Sequence, residues 1–70
     1  MKNQILSPQN RRTYNLLILN KLKEIVERYP ELRFGQIIEC FAKDKDIDFF
    51  NEEPDSIYNR IIKKCNEYGC

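Results

Sequence analysis

Three prolines stand at positions 8, 30 and 54 of a 70-residue chain that holds only two glycines. Proline lacks a backbone N–H and fixes φ, so a helix tolerates it in the first turn and ends before it elsewhere. Ser7-Pro8 joins a capping hydroxyl to a proline at the first helical position. Behind it Tyr14, Ile18, Leu22, Ile25, Val26 and Tyr29 recur at helical spacing until Pro30 stops the run. This predicts a first helix over about 8–29. In the stretch from Leu32 to Lys43, Phe34, Ile37, Ile38 and Phe41 fall at i, i+3, i+4 and i+7, the mark of a second helix. Gly35 in its first turn would permit a close backbone approach. Pro54 opens a third helix with Ile57, Tyr58, Ile61, Ile62, Cys65 and Tyr68 on one face, and Gly69 as a left-handed cap. The predicted class is all-α: a single small three-helix domain over 1–70, with helices at about 8–29, 32–43 and 54–68.

Composition excludes several classes. Apolar residues make up 41% and charged residues 33%, a mix unlike that of a disordered tail or a collagen. Twelve basic residues against eleven acidic ones leave +1, so no global charge draws the chain to nucleic acid or anionic lipid. No apolar run has signal-peptide length, and none approaches the ~20 residues of a membrane span. Cys40, Cys65 and Cys70 are an odd set without a Cys-x-x-Cys pair, unlike the even framework of a secreted domain. Cys40 and Cys65 are expected to be small buried hydrophobes, and Cys70 a free thiol. The expectation is a reduced, cytoplasmic protein that is not held in a membrane.

Leu16, Leu17, Ile18 and Leu19 are consecutive, and at about 100° per residue they cannot share one stripe. Leu16 and Leu17 project outside the arc of the other apolar positions. With so little chain left to wrap helix one, the expectation is self-association, as a homodimer, through the Leu16/Leu17 side.

Catalytic chemistry has little to draw on. There is no histidine, hence no imidazole base and no common metal ligand. Ser7, Thr13 and Ser56 have no base at triad-like spacing, and two glycines cannot build a phosphate loop. No enzymatic activity and no cofactor are expected. Asp44, Asp46, Asp48 and Asp55 match positions 1, 3, 5 and 12 of a calcium-binding EF-hand loop. Phe49 stands where that loop needs glycine, however, and Asp55 is shorter than the bidentate glutamate. The segment from Asp44 to Asp55, with six acids against one lysine, reads instead as an acidic solvated loop. Its Glu52, Glu53 and Asp55 suit the positive start of helix three. Arg60, Lys63 and Lys64 form a basic cluster on helix three. They are the candidate contacts of a small DNA-binding regulator, a reading weakened by the acidic loop just before them.

The block Pro30-Glu31-Leu32-Arg33-Phe34-Gly35-Gln36-Ile37-Ile38 is the most distinctive stretch, joined farther on by Asp48-Phe49-Phe50 and then Glu52, Glu53 and Asp55. In these two elements the chain resembles a loose group of short, uncharacterised bacterial and phage proteins, over about residues 14–62. The resemblance implies a helical fold and a mobile-element accessory role; it brings no assigned activity. From the residues themselves, Leu32 is placed to staple the start of helix two, and Arg33 to pair with the acidic loop. Arg33, Gln36, Phe49 and Phe50 are the candidate surface for a protein partner. The resulting expectation is a non-enzymatic protein that binds another protein, with nucleic acid the less favoured partner.

Overall fold

The computed structural model describes residues 6–69. Helix α1 runs Pro8–Arg28 and α3 runs Pro54–Tyr68. Between them a short helix, α2, covers Phe34–Ile37 and winds directly into a π-helical turn, Ile38–Ala42. A 3₁₀ turn at Phe49–Asn51 precedes α3. No strand occurs among the described residues, and the three-helix, all-α expectation holds.

Local signals set the ends of these elements. Ser7 Oγ accepts the Asn10 N–H at 3.2 Å, which caps α1 with proline at its first position. Tyr29 closes α1 one residue before Pro30. Gly69 lies in the left-handed region, φ 82°, and its N–H bonds to the Cys65 carbonyl at 2.8 Å. At the start of α2, Gln36 Oε1 accepts the Arg33 N–H at 2.8 Å. This is one half of a capping box, and arginine, which has no acceptor, cannot supply the other. Leu32, just before that cap, packs against the core as a staple should. Gly35 departs from expectation: a β-carbon there would meet nothing within 4 Å, and the backbone is not in the left-handed region. No close approach demands glycine. Gly35→Ala is therefore expected to stabilise the fold by about 0.5 kcal/mol in urea unfolding, since glycine loses more chain entropy on folding.

Helices α1 and α3 lie side by side and parallel. Arg11 meets Glu53 near the two starts, the Tyr14 and Tyr58 rings lie 6.2 Å apart along the way, and the Tyr29 hydroxyl donates to the Tyr68 carbonyl at the two ends. Helix α2 and the segment after it carry the chain back to the starting end. The core is small: Leu22 and Ile25 from α1, Ile37, Phe41 and Ala42 from the middle segment, and Ile61 and Cys65 from α3. Ile18, Tyr29, Leu32, Ile38, Phe49 and Ile57 pack around it.

The π-helical turn explains two departures from the predicted second helix. Its Lys43 N–H bonds to the Ile38 carbonyl at 2.9 Å, an i to i+5 closure. The wider turn brings Ala42 round to the side of Ile37 and swings Cys40 away from it. Cys40 is consequently exposed and free, not a buried hydrophobe. Cys65 is buried as expected but disulfide-bonded, which corrects the reading of a wholly reduced chain. Cys70 lies outside the described residues. Three further positions are more exposed than their predicted stripes imply, among them Tyr68 in the last turn of α3, at 52%. Val26 is 41% exposed, being about 100° round the helix from buried Ile25. Phe34 is 60% exposed, because α2 touches α1 but not α3 and its first turn is covered on one side only.

Candidate interaction surfaces

Among the described residues no group of His, Cys, Asp or Glu is placed to hold a metal ion. The acidic segment is engaged elsewhere. Asp44 Oδ1 accepts the Asp46 N–H at 3.0 Å in a local turn, and Asp48 accepts the Asn51 side-chain amide. Two of its glutamates are held by arginines from other elements. Glu53 receives a two-pronged bond from Arg11, with both contacts at 2.9 Å. Glu52 receives the Arg60 guanidinium and the Ser56 hydroxyl on one oxygen, and Arg60 also donates to the Ala42 carbonyl. Arg60 thus bolts α3 to the end of the π-helical turn and to the loop at once.

This arrangement corrects two expectations. Arg33 makes no ion pair among the described residues; Arg60 and Arg11 tie the acidic loop back instead. Arg60 is also not a free cation for DNA: its side chain is 11% exposed, against Glu52 at 5%. The reason is positional. Arg60 precedes the fully buried Ile61 on α3, so its stem starts beside the core and its head reaches the loop crossing there.

The Glu53 carboxyl is held below the ordinary carboxylate range, first by the hydrogen bond from Arg11, then against a desolvation cost, with Coulombic attraction and the Leu6 N–H adding to it. A carboxyl with a depressed folded-state pKa contributes stability above its unfolded-state value and loses it as pH falls through the folded value. Arg11→Gln is expected to remove this part of the acid sensitivity, so that wild type and variant converge in stability as the pH is lowered below about 4. Thermal unfolding across an acid pH series checks it. A gap that stays constant with pH would show that the charges do not matter there.

The predicted partner surface divides. Arg33 and Gln36 share the start of α2 and are both exposed. Phe49 and Phe50 sit together on the 3₁₀ turn, which does not approach α2. Phe49 packs against the core, whereas Phe50 is 92% exposed. The four residues therefore form two separate places, and Phe49 anchors the loop inward.

Leu16 and Leu17 also part company. Both are exposed, but they flank opposite sides of the buried face of α1. Leu16 instead continues into Leu19 and Val26, at 44%, 60% and 41% exposure. With Lys23 these positions follow a 3-4-3 spacing and form one stripe along α1, well round the helix from the core. Lys23 sits within the stripe and reaches Glu27 at 3.3 Å. Leu19 and Val26 belong to this surface although the sequence reading did not single them out for it. The signal was present in the interval between Leu16, Leu19 and Val26.

A second surface is charged. Lys43, Asp44 and Lys45, leaving the π-helical turn, face Arg60, Lys63, Lys64 and Glu67 on α3 across a groove of about 380 Å³. The α3 members are three or four apart and share one side of the helix. Lys43 lies just before the acidic segment and Lys45 within it, yet both join the basic side of α3. A third depression, of about 400 Å³, lies beside Tyr29, Leu32, Cys40, Phe41 and Tyr68. No helix among the described residues is long and apolar enough to cross a membrane. No family model matches the chain, and neither a curated protein nor a solved structure matches it.

Proposed function

We propose that this protein is a non-enzymatic interaction module that docks another protein along the exposed side of α1. The observation that carries the reading is the stripe Leu16, Leu19 and Val26, which stays exposed among the described residues. A small domain gains stability by burying leucine, so a run left outside at coiled-coil spacing suits an apolar helical partner. Lys23 within the stripe favours a partner with an acidic position opposite it. A second copy of this chain is the other occupant the stripe would accept.

Leu19→Glu tests the reading, because its side chain is 60% exposed and the change should alter folding stability by no more than about 0.5 kcal/mol. Tagged wild type and variant are compared in affinity capture from nuclease-treated lysate, alongside the solution mass by light scattering. The expected result is a single protein whose recovery falls about tenfold or more with Leu19→Glu and is unchanged by Leu17→Glu. A halved solution mass for the variant would identify the partner as a second copy. Identical recovery and mass for wild type and variant would sink the proposal.

A further inference from the structure

The groove between the π-helical turn and α3 has an unusual lining, in that every side chain in it is charged. Five are cations and two are carboxylates. The cations are not equivalent. Lys43 reaches Glu39 at 3.2 Å, and Arg60 is held at the base of the groove by Glu52 and the Ala42 carbonyl. Lys45, Lys63 and Lys64 have no carboxylate partner among the described residues. Three ammonium groups without a close ion-pair partner thus line one concavity beside Asp44 and Glu67, and the lining's five cations outnumber its two carboxylates in a chain whose net charge is only +1. Cations in a concave, protein-walled groove raise the local positive potential above what the net charge alone suggests.

We infer that this groove binds the phosphodiester backbone of nucleic acid, independently of base sequence, through Lys45, Lys63 and Lys64. The absence of any aromatic or apolar side chain from the lining selects this ligand. Pockets for a nucleotide or another small metabolite are mostly apolar, and base reading needs stacking or base-edge contacts; neither is provided here. A peptide would likewise need apolar and backbone partners, which the lining does not offer. Phosphodiester oxygens ask only for cations, and lysine meets them as a point charge. Arg60 has a supporting part, holding the base of the groove so that the lysines of α3 face those of the loop.

Three lysines define the size of the effect. Each neutralised phosphate releases condensed counterions, so the plot of log affinity against log salt should have a slope of about −3. Affinity for a short fluorescent duplex of mixed sequence should then fall about 40-fold between about 50 and about 200 mM salt. Fluorescence anisotropy on the full chain reads this directly. In the double variant Lys63→Ala/Lys64→Ala the slope should shrink to about −1 and the 40-fold loss to about fourfold. Both lysines lie at or near the surface, and an unchanged thermal midpoint would show that the variant is folded. The same values on a duplex of different sequence support backbone recognition. No binding at low salt, an unchanged slope in the folded variant, or displacement by polyglutamate as effective as by unlabelled duplex would each overturn the inference. Leu19→Glu should leave all these values untouched, which keeps this groove separable from the protein-docking stripe.

Discussion

Arg60→Ala is expected to cost about 3–5 kcal/mol in urea unfolding, enough to leave much of the chain unfolded in water. The variant removes one half of an ion pair whose members are 11% and 5% exposed, and leaves the Glu52 carboxylate buried. Glu52 already has one oxygen, Oε1, without a hydrogen-bond partner, so nothing nearby stands ready to take over from Arg60. The same change frees the Ala42 carbonyl at the end of the π-helical turn. Arg60→Lys should rescue only part of the loss, because an ammonium group on a flexible stem cannot reproduce the planar fork that reaches Glu52 and Ala42 together. The paired replacement Glu52→Met/Arg60→Met separates the cost of an orphaned charge from the worth of the pair, and should lie within about 1 kcal/mol of wild type. A loss below about 1 kcal/mol for Arg60→Ala would mean that water screens this pair as it does an ordinary surface one.

Ile61→Ala, one position farther along α3, is expected to cost about 2–5 kcal/mol by a different route. Its side chain is fully buried, in a core with seven buried hydrophobic members among the described residues. Truncation loses the transfer energy of the missing methyl groups and leaves a cavity that so few neighbours cannot close. A 70-residue domain has total stability on the order of 5 kcal/mol, so the variant should approach the unfolding threshold. Ile61→Val should cost about 0.5–1.5 kcal/mol and stay folded, which makes it the variant to measure by thermal and urea unfolding. If Ile61→Val and Ile61→Ala proved equally mild, the packing around α3 would have to be looser than described. Because Arg60 and Ile61 are adjacent and anchor the same end of the middle segment, their effects should not add.

These two residues also show how far sequence reading reaches. Ile61 was legible from its interval to Ile57 and Cys65, because helical burial repeats every three or four positions whatever the partner. Sequence alone makes Arg60 a surface cation, because whether an arginine meets solvent or a buried glutamate depends on which segment crosses above it. The same limit applies to Cys40. Its place in the second helix was read correctly, but the π-helical closure after Ile38 turned it outward. An α-turn and a π-turn differ by one hydrogen-bond register, which residue types alone do not announce.

The two candidate surfaces were legible to different degrees. Four consecutive apolar residues on one helix must exceed a single buried stripe, so an uncovered side of α1 follows from helix geometry alone. Which positions share that side follows from the same geometry, once the core direction is known: Leu16 with Leu19 and Val26, with Leu17 apart. The charged groove was not legible. Lys45 and Lys63 are far apart in sequence and meet only because the middle segment folds back across α3.

The sequence by itself determined what local rules govern: where the helices begin and end, through Ser7, Pro8, Pro30, Pro54 and Gly69, and which side chains point to a core. Those outcomes depend on φ restrictions, capping groups and helical periodicity, all of which act within a few residues. Only the tertiary structure decided that α1 and α3 run parallel, that Arg60 and Arg11 clamp the acidic loop, and that lysines from two segments line one groove. Those outcomes depend on electrostatic and packing contacts between distant parts of the chain, whose energies exist only once the segments are brought together.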